Sequence, residues 1–564
     1  MLLNTFFLLT LIGLVAHTSA QTPLPYSIPK KFVGEKAAVV SAHPLASNVG
    51  LQILQQGGNA VDAAIATQLA LAVVYPGAGN LGGGGFMVAC MANGETIALD
   101  YREAAPGAAY RDMYLDAAGN PITELSVYGA KASGIPGTVA GLFASMKFAK
   151  LPFRKLIAPA IALAETGFAI TASQASSFNN NKKEFTQYNQ HPVAFVKTGK
   201  WQQGDILVQP ELAETLKRIS RKGAKGFYRG RTARLLQAEM KRGNGIITRR
   251  DLKNYKAIAR KPMKFNYKGY EIVGMPLPSS GGIIIEQLMK MTEAKNLASL
   301  GFHTAASVQL MVEAERRAFA DRGTYMGDAD FAKVPVKTLV SDAYLQQRMQ
   351  DFVPGKAGNS QQIKEGHIAE SEETTHLSIV DEEGNAVAVT TTLNGNYGSY
   401  TVVKGAGFLL NNEMDDFSVK PGSPNMYGAV GKEANAIAPG KRMLSSMTPT
   451  IVLKDKLPYL VVGTPGGTTI PTSVFQSLVN VLDFNLSEED AVNKPKFHHQ
   501  WLPDEVFIER DFPGAVAEEL RQMGYKVTVR SDIGRTELIR ITQTGGRKIT
   551  AIADKRGDDA AAGY

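Results

Sequence analysis

A single cysteine, Cys90, stands in a chain of 564 residues, which excludes an intramolecular disulfide framework. It lies inside the apolar run FMVACMA and reads as a buried thiol that packs rather than reacts. Long charge-free apolar stretches are also scarce. After the first twenty residues the nearest is 60–74, AVDAAIATQLALAVV, whose length and Asp62 mark a buried helix rather than a membrane span. Concentrated charge is missing too. The net charge is +9, but the basic residues come in short pairs such as Lys30-Lys31 and Arg249-Arg250, mixed with acids. Without a basic stripe, a nucleic-acid partner is not indicated. No Gly-x-Ser-x-Gly elbow occurs, which argues against a serine hydrolase of that type. The loop GTPGGT lacks the Gly-Lys-Ser/Thr of a phosphate-binding loop, and His498-His499 lacks partners at metal-ligand spacing. Neither repeats nor low-complexity blocks are found.

What is present begins with a distinct leader. MLLNTFFLLTLIGLVAHTSA carries no Asp, Glu, Lys or Arg, has an apolar run from Leu2 to Val15, and ends in the small residues Ser19 and Ala20. This is a signal-peptide pattern over 1–20 with cleavage near Ala20–Gln21, implying a periplasmic or secreted protein; an uncleaved anchor is the alternative. Having no disulfide in an exported chain fits a bacterial periplasm. From Pro44 to Val74 the pattern predicts two helices broken at Gly57-Gly58, with Pro44 in a first turn and Asn59 as a cap. Helices are also predicted over 155–166, 211–241 and 304–322, the last with Val308, Met311, Ala314 and Ala318 on one face.

Residues 351–373 are polar, with few apolar anchors, and read as a connector. They end abruptly at TTHLSIV (374–380), which alternates like a strand. A second β-rich run, AVAVTTT (386–392), follows after a five-residue connection with turn chemistry. A symmetric hairpin pairs 380 with 386 and therefore 374 with 392, setting Thr392 across from Thr374. An ordinary cross-strand threonine pair has the same register. The functional alternative is chemical. A threonine hydroxyl is a weak nucleophile without a base, but a threonine at a newly made chain terminus carries its own, the α-amine, with a pKa of about 8. Such a chain must first cut itself, here between Glu373 and Thr374.

From Thr374 onward the sequence resembles the small subunit of gamma-glutamyltranspeptidases. The resemblance rests on TTHLSIVDEEGNAVAVTTTLN, LLNNEMDDFS (409–418), RMLSSMTPT (442–450), GTPGGT (463–468) and NKPKFHHQWLPD (493–504). Upstream, GGNAVDAAIA, LGGGGFM, DYREAAP, ASGIPGTVAGL, PLPSSGG and EAERRAFADR match as well, in the family's order. The resemblance implies an α+β fold, the four-layer αββα sandwich of N-terminal-nucleophile hydrolases, made from a large subunit (21–373) and a small subunit (374–564) that stay together as a heterodimer. It implies no metal or organic cofactor.

The resemblance also implies roles. Thr374 is the autoprocessing and catalytic nucleophile, Thr392 bonds it, and Gly466 and Gly467 offer N–H groups to the oxyanion. Arg102, Ser445 and Ser446 take the substrate α-carboxylate; Asn394, Glu413 and Asp416 hold its α-ammonium. Of the adjacent Asp415 and Asp416, only one side chain can face the substrate, and Asp416 is the choice. The segment 421–440 is the family's lid, with Tyr427 as its gate. The expected activity is transfer of the gamma-glutamyl group of glutathione or similar compounds to Thr374, then to water, amino acids or dipeptides. Leu377 and Thr391 depart from the aromatic residues often found there and are expected to lie beside the site. Glu373 replaces a common glutamine, and DKR (554–556) stands where DPR is expected. Two alternatives stay open: a cephalosporin (glutaryl) acylase of the same fold, which would not need the acidic Asp416, and an inactive binding homologue that never cleaves itself.

Overall fold

The computed structural model describes residues 24–363, 374–423, 426 and 431–564. The leader over 1–20, Glu373 and Tyr427 lie outside these described residues. Among them no helix is long and apolar enough to cross a membrane.

Two seven-stranded sheets face each other. Their strands are β1 (Lys31–Gly34), β2 (Ala38–Ser41), β3 (Gly84–Cys90), β4 (Thr96–Asp100), β5 (Ile258–Arg260), β6 (Met263–Tyr267) and β7 (Tyr270–Gly274). After residue 373 come β8 (Thr375–Val380), β9 (Ala386–Thr392), β10 (Thr450–Lys454), β11 (Leu457–Gly463), β12 (Glu537–Thr542), β13 (Lys548–Ala553) and β14 (Ala560–Gly563). The first sheet runs β1-β13-β12-β11-β10-β7-β6, the second β14-β2-β8-β9-β3-β4-β5. The hairpin β8–β9 thus sits in the middle of the second sheet, flanked by β2 and β3 from the first half of the chain.

Alternation along these strands builds the layers. Val39, Met87, Ala89, Leu377, Ile379, Val387 and Val389 point outward to a helical layer, whereas Val40, Phe86, Val88, Val380, Ala386 and Ala388 point inward to the core shared with the first sheet. Fully burying a side chain such as Leu377 contributes about 1.5–3 kcal/mol. A one-residue slip would turn every one of these side chains to the other face, so the apolar set fixes the register. The outer helices over the second sheet include α1 (Pro44–Gln55), α2 (Ala60–Val74), α3 (Phe153–Thr166), α4 (Pro210–Lys222) and α5 (Gly230–Arg242); over the first lie α6 (Gly281–Glu293), α7 (Ala305–Tyr325) and α8 (Thr469–Leu482). The result is the αββα sandwich.

Local chemistry explains the helix ends. Pro44 occupies the first turn of α1. Asn59 caps α2 by accepting the N–H groups of Val61 and Asp62 at 3.0 Å each, while Asp62 accepts the N–H of Asn59 at 2.9 Å. Asp62 also accepts from the backbone of Lys150 and Leu151, so its burial is fully compensated. Two predicted helices differ from expectation. The stretch 211–241 is broken at Gly223 (φ 60°), whose left-handed backbone ends α4, and again at Gly230 (φ 64°), where α5 begins. Helix α7 is buried on almost every side rather than on one face. Several of its charges are paired to permit this: Arg317 donates to Glu313 at 2.6 Å, and Tyr525 donates to the same carboxylate at 2.6 Å.

Candidate active site

Thr374 stands at the head of β8, and the ladder Thr375↔Thr391 to Val380↔Ala386 continues to place it opposite Thr392. Its hydroxyl donates to Thr392 Oγ1 at 3.4 Å. Thr392 Oγ1 also accepts the N–H of Asn394 at 2.8 Å, which the left-handed backbone of Asn394 (φ 76°) permits. Both threonines are buried, on the face of the sheet that looks toward the first sheet. Below them His376 bonds Thr390 Oγ1 at 2.8 Å and Ser378 at 3.1 Å, and burial pushes its pKa down to about 3. That imidazole is neutral, so it supports the strand without adding charge beside Thr374.

A small cavity opens over Thr374. Thr392, Arg102, Asn394, Asp416, Ser445, Ser446 and Gly467 line it with Thr374. Glu413 and Gly466 do not; Glu413 is fully buried behind Arg102, and Gly466 lies one residue back in its loop. Arg322, Met447, Thr468 and Ile470 line the cavity as well and were not singled out from the sequence. Arg322 closes the quoted motif EAERRAFADR. A lone arginine in a helix pattern carries no signal of its own; only its position near the end of an almost wholly buried helix distinguishes it.

Arg102 is the second residue past the end of β4. Its Nε donates to Met443 O at 3.3 Å, and Tyr255 OH donates to the Arg102 carbonyl at 2.6 Å. The guanidinium is 1% exposed and pairs with both Glu413 and Asp416, with Glu103 at 3.6 Å. Three carboxylates around one buried cation cannot all stay ionised cheaply. Burial pushes Glu103 up to about 8 and Glu413 well above the carboxylate range, with Arg102 opposing both. The neighbouring Asp415 turns away. It accepts from Ser126 Oγ at 2.5 Å and from the Met426 N–H at 2.6 Å, and burial lifts it to about 7. Asp416 alone reaches both Arg102 and the cavity.

The loop between β11 and α8 supplies donors. Gly466 has φ 131°, and a Cβ there would meet Thr469 Oγ1 at 2.4 Å; Gly467 has φ 54°. Among the described residues their N–H groups have no acceptor. They lie at the N-terminal end of α8, where the helix dipole favours negative charge. Leu377 and Thr391, expected beside the site, face the other way. Leu377 packs in the α1/α2 layer, and Thr391 donates to Gly84 O at 2.7 Å while accepting from Asn80 at 3.2 Å. The period of two on a strand puts both on the outer face. His498 and His499 are buried in hydrogen bonds to Thr472 and Gln500 and to Asp504, respectively.

The model of the gamma-glutamyltranspeptidase family matches residues 46–564. The chain belongs to this family. The glutathione hydrolase proenzyme of Escherichia coli K12 is 45% identical over 536 residues, 94% of this chain and 92% of that protein. That of Pseudomonas aeruginosa is 47% identical over 533 residues, 92% of this chain and 93% of that protein. Among solved structures, the cephalosporin acylase of Bacillus halodurans superposes with a TM-score of 0.84 at 26% identity, covering 97% of this chain and 99% of that one. The family's members are thus like this chain along nearly its whole length, and its fold is that of the N-terminal-nucleophile hydrolases.

Proposed function

We propose that this chain is an autoprocessing gamma-glutamyltranspeptidase and glutathione hydrolase, cut between Glu373 and Thr374 into the 21–373 and 374–564 subunits. The observation that carries the reading is the Thr374 hydroxyl, bonded to Thr392 in a cavity that also holds Arg102, Asp416, Ser445 and Ser446. Those groups suit a free amino-acid head: a guanidinium and hydroxyls for a carboxylate, acidic and amide oxygens for an ammonium. Only a gamma-linked glutamate leaves both α-groups free.

In this reading Thr374 Oγ1 attacks the gamma-carbonyl, and the α-amine liberated by scission, with an ordinary pKa of about 8, takes the hydroxyl proton. Thr392 holds the hydroxyl in line. Gly466 and Gly467 point N–H groups at the oxyanion of the tetrahedral intermediate. The amide nitrogen leaves protonated, and a gamma-glutamyl ester remains on Thr374. Water then gives glutamate, or an amino acid or dipeptide gives a new gamma-glutamyl amide. Tyr427 in the 421–440 lid would gate the cavity. The leader over 1–20 would direct the chain to the periplasm or outside the cell. The acylase alternative draws support from the structural likeness, but Asp416 in the cavity favours a substrate carrying an ammonium.

N-terminal sequencing of the smaller piece tests the cut: it should read Thr-Thr-His-Leu. Thr374→Ala should leave the chain whole and release no gamma-glutamyl product. Turnover that survives this substitution overturns the reading.

A further inference from the structure

The α-carboxylate of the proposed substrate needs a counter-charge, and Arg102 is poorly placed to give it alone. Its Nε–H and Nη2–H groups reach the carbonyls of Met443 and Leu444, and its remaining N–H groups face Glu413, Asp416 and Glu103. With three carboxylates about it, Arg102 and its partners bring no net positive charge to the cavity. Arg322 is the other cation lining that cavity among the described residues. It projects from the last turn of α7, is 7% exposed, and grips two side chains. Nη2 donates to Ser446 Oγ at 3.0 Å, and Nε donates to Ser280 Oγ at 3.2 Å. Ser280 in turn gives both its hydroxyl and its N–H to the carbonyl of Ser445, each at 2.8 Å.

The donor and acceptor bookkeeping has a direction. A hydroxyl that accepts from a guanidinium has its own proton left to give. Arg322 therefore turns Ser446 into a donor aimed at an anion, and through Ser280 it fixes the backbone that carries Ser445. Helix α7 is held on nearly all sides, so the guanidinium is set before any ligand arrives, which lowers the ordering cost of binding.

We infer that Arg322 is a positioning and specificity-determining residue for the substrate α-carboxylate, acting through the hydrogen bonds by which it orients Ser446 and, by way of Ser280, Ser445. The inference rests on the gamma-glutamyl reading of the site. Its test compares two donors that differ only in the α-carboxylate: γ-glutamyl-p-nitroanilide and 4-aminobutanoyl-p-nitroanilide. Arg322→Met should lower kcat/KM for the first by about 100-fold, chiefly through KM, as loss of charge-assisted hydrogen bonds predicts. The second should change by no more than about threefold, because it has nothing for Arg322 to read. Where the second turns over too slowly, inhibition by glutamate and by 4-aminobutanoate gives the same comparison. Arg322→Lys, which keeps the charge and loses the fork, should fall between. Ser280→Ala, which removes one anchor and leaves α7 intact, should give a smaller loss on the glutamyl donor alone and serves if the arginine variants fail to self-cleave. Equal losses on both donors, or none, overturn the inference. Failure of the unmodified enzyme to use the glutamyl donor would instead overturn the gamma-glutamyl reading.

Discussion

Thr374 and Thr392 meet across the central hairpin with their hydroxyl oxygens 3.4 Å apart. The bond is long, so its value lies in aim more than in strength. Thr392→Ala should reduce kcat about tenfold, with KM for the donor nearly unchanged, and should slow self-cleavage in parallel. Thr392→Ser should restore both. Steady-state kinetics with a timed gel of precursor processing checks this; a rise in KM alone would assign Thr392 to binding.

Asp416 pairs with Arg102 and faces the cavity, whereas Asp415 is held by Ser126 and Met426. Asp416→Asn should therefore raise KM for a gamma-glutamyl donor by about 10- to 100-fold, the expected cost of one charge-assisted bond to the ammonium. A glutaryl donor, which lacks the ammonium, should lose little. If both donors suffer equally, Asp416 is holding Arg102 rather than reading substrate.

Gly466→Ala should cost about 10²–10³ in kcat, the usual loss when an oxyanion donor is displaced. The cause is local: φ is 131° and the added Cβ would meet Thr469 Oγ1 at 2.4 Å. Folding and cleavage can be followed separately by circular dichroism and by the gel, so that a loss of kcat in a processed enzyme isolates the effect.

His376 should stay neutral far below its usual range. Its pKa falls from 6.5 to about 3 on burial, so between these values the unfolded chain binds a proton that the folded chain refuses. Its contribution is thus lost as pH drops from 6.5 toward 3, at about 1.4 kcal/mol per pH unit. The stability penalty of His376→Gln should consequently shrink by about 2 kcal/mol between pH 7 and pH 5. The ring proton shifts of labelled His376 should not titrate over that interval; a titration near pH 6 would contradict the buried, neutral assignment.

Local rules carried far in this sequence. The symmetric turn set 374 against 392, and the ladder Val380↔Ala386 has that register. Pro44, Asn59 and the Gly57-Gly58 break bound α1 and α2 as capping chemistry requires. That only one of Asp415 and Asp416 faces the cavity follows from the divergence of adjacent side chains; that it is Asp416 is what the family resemblance implies. What escaped depends on distance in the chain. Nothing local says that β2 and β3 flank β8 and β9, or that α7 is enclosed by both halves of the molecule. Arg322 was missed for that reason: its partners Ser280 and Ser446 lie 42 and 124 residues away. Leu377, three residues from Thr374, and Thr391, next to Thr392, sit on the opposite face because side chains alternate along a strand.

The position of β8 and β9 between β2 and β3 dictates an order of events. The hairpin of β8 and β9 is threaded into its sheet while still joined to the preceding chain, and the strands on its two sides, β2 and β3, belong to that preceding chain. In the proposed reading, scission at Thr374 therefore follows the assembly of this sheet. With the chain cut as proposed between Glu373 and Thr374, the hairpin would stay clasped between β2 and β3, so the two pieces remain one sheet after the peptide bond is gone.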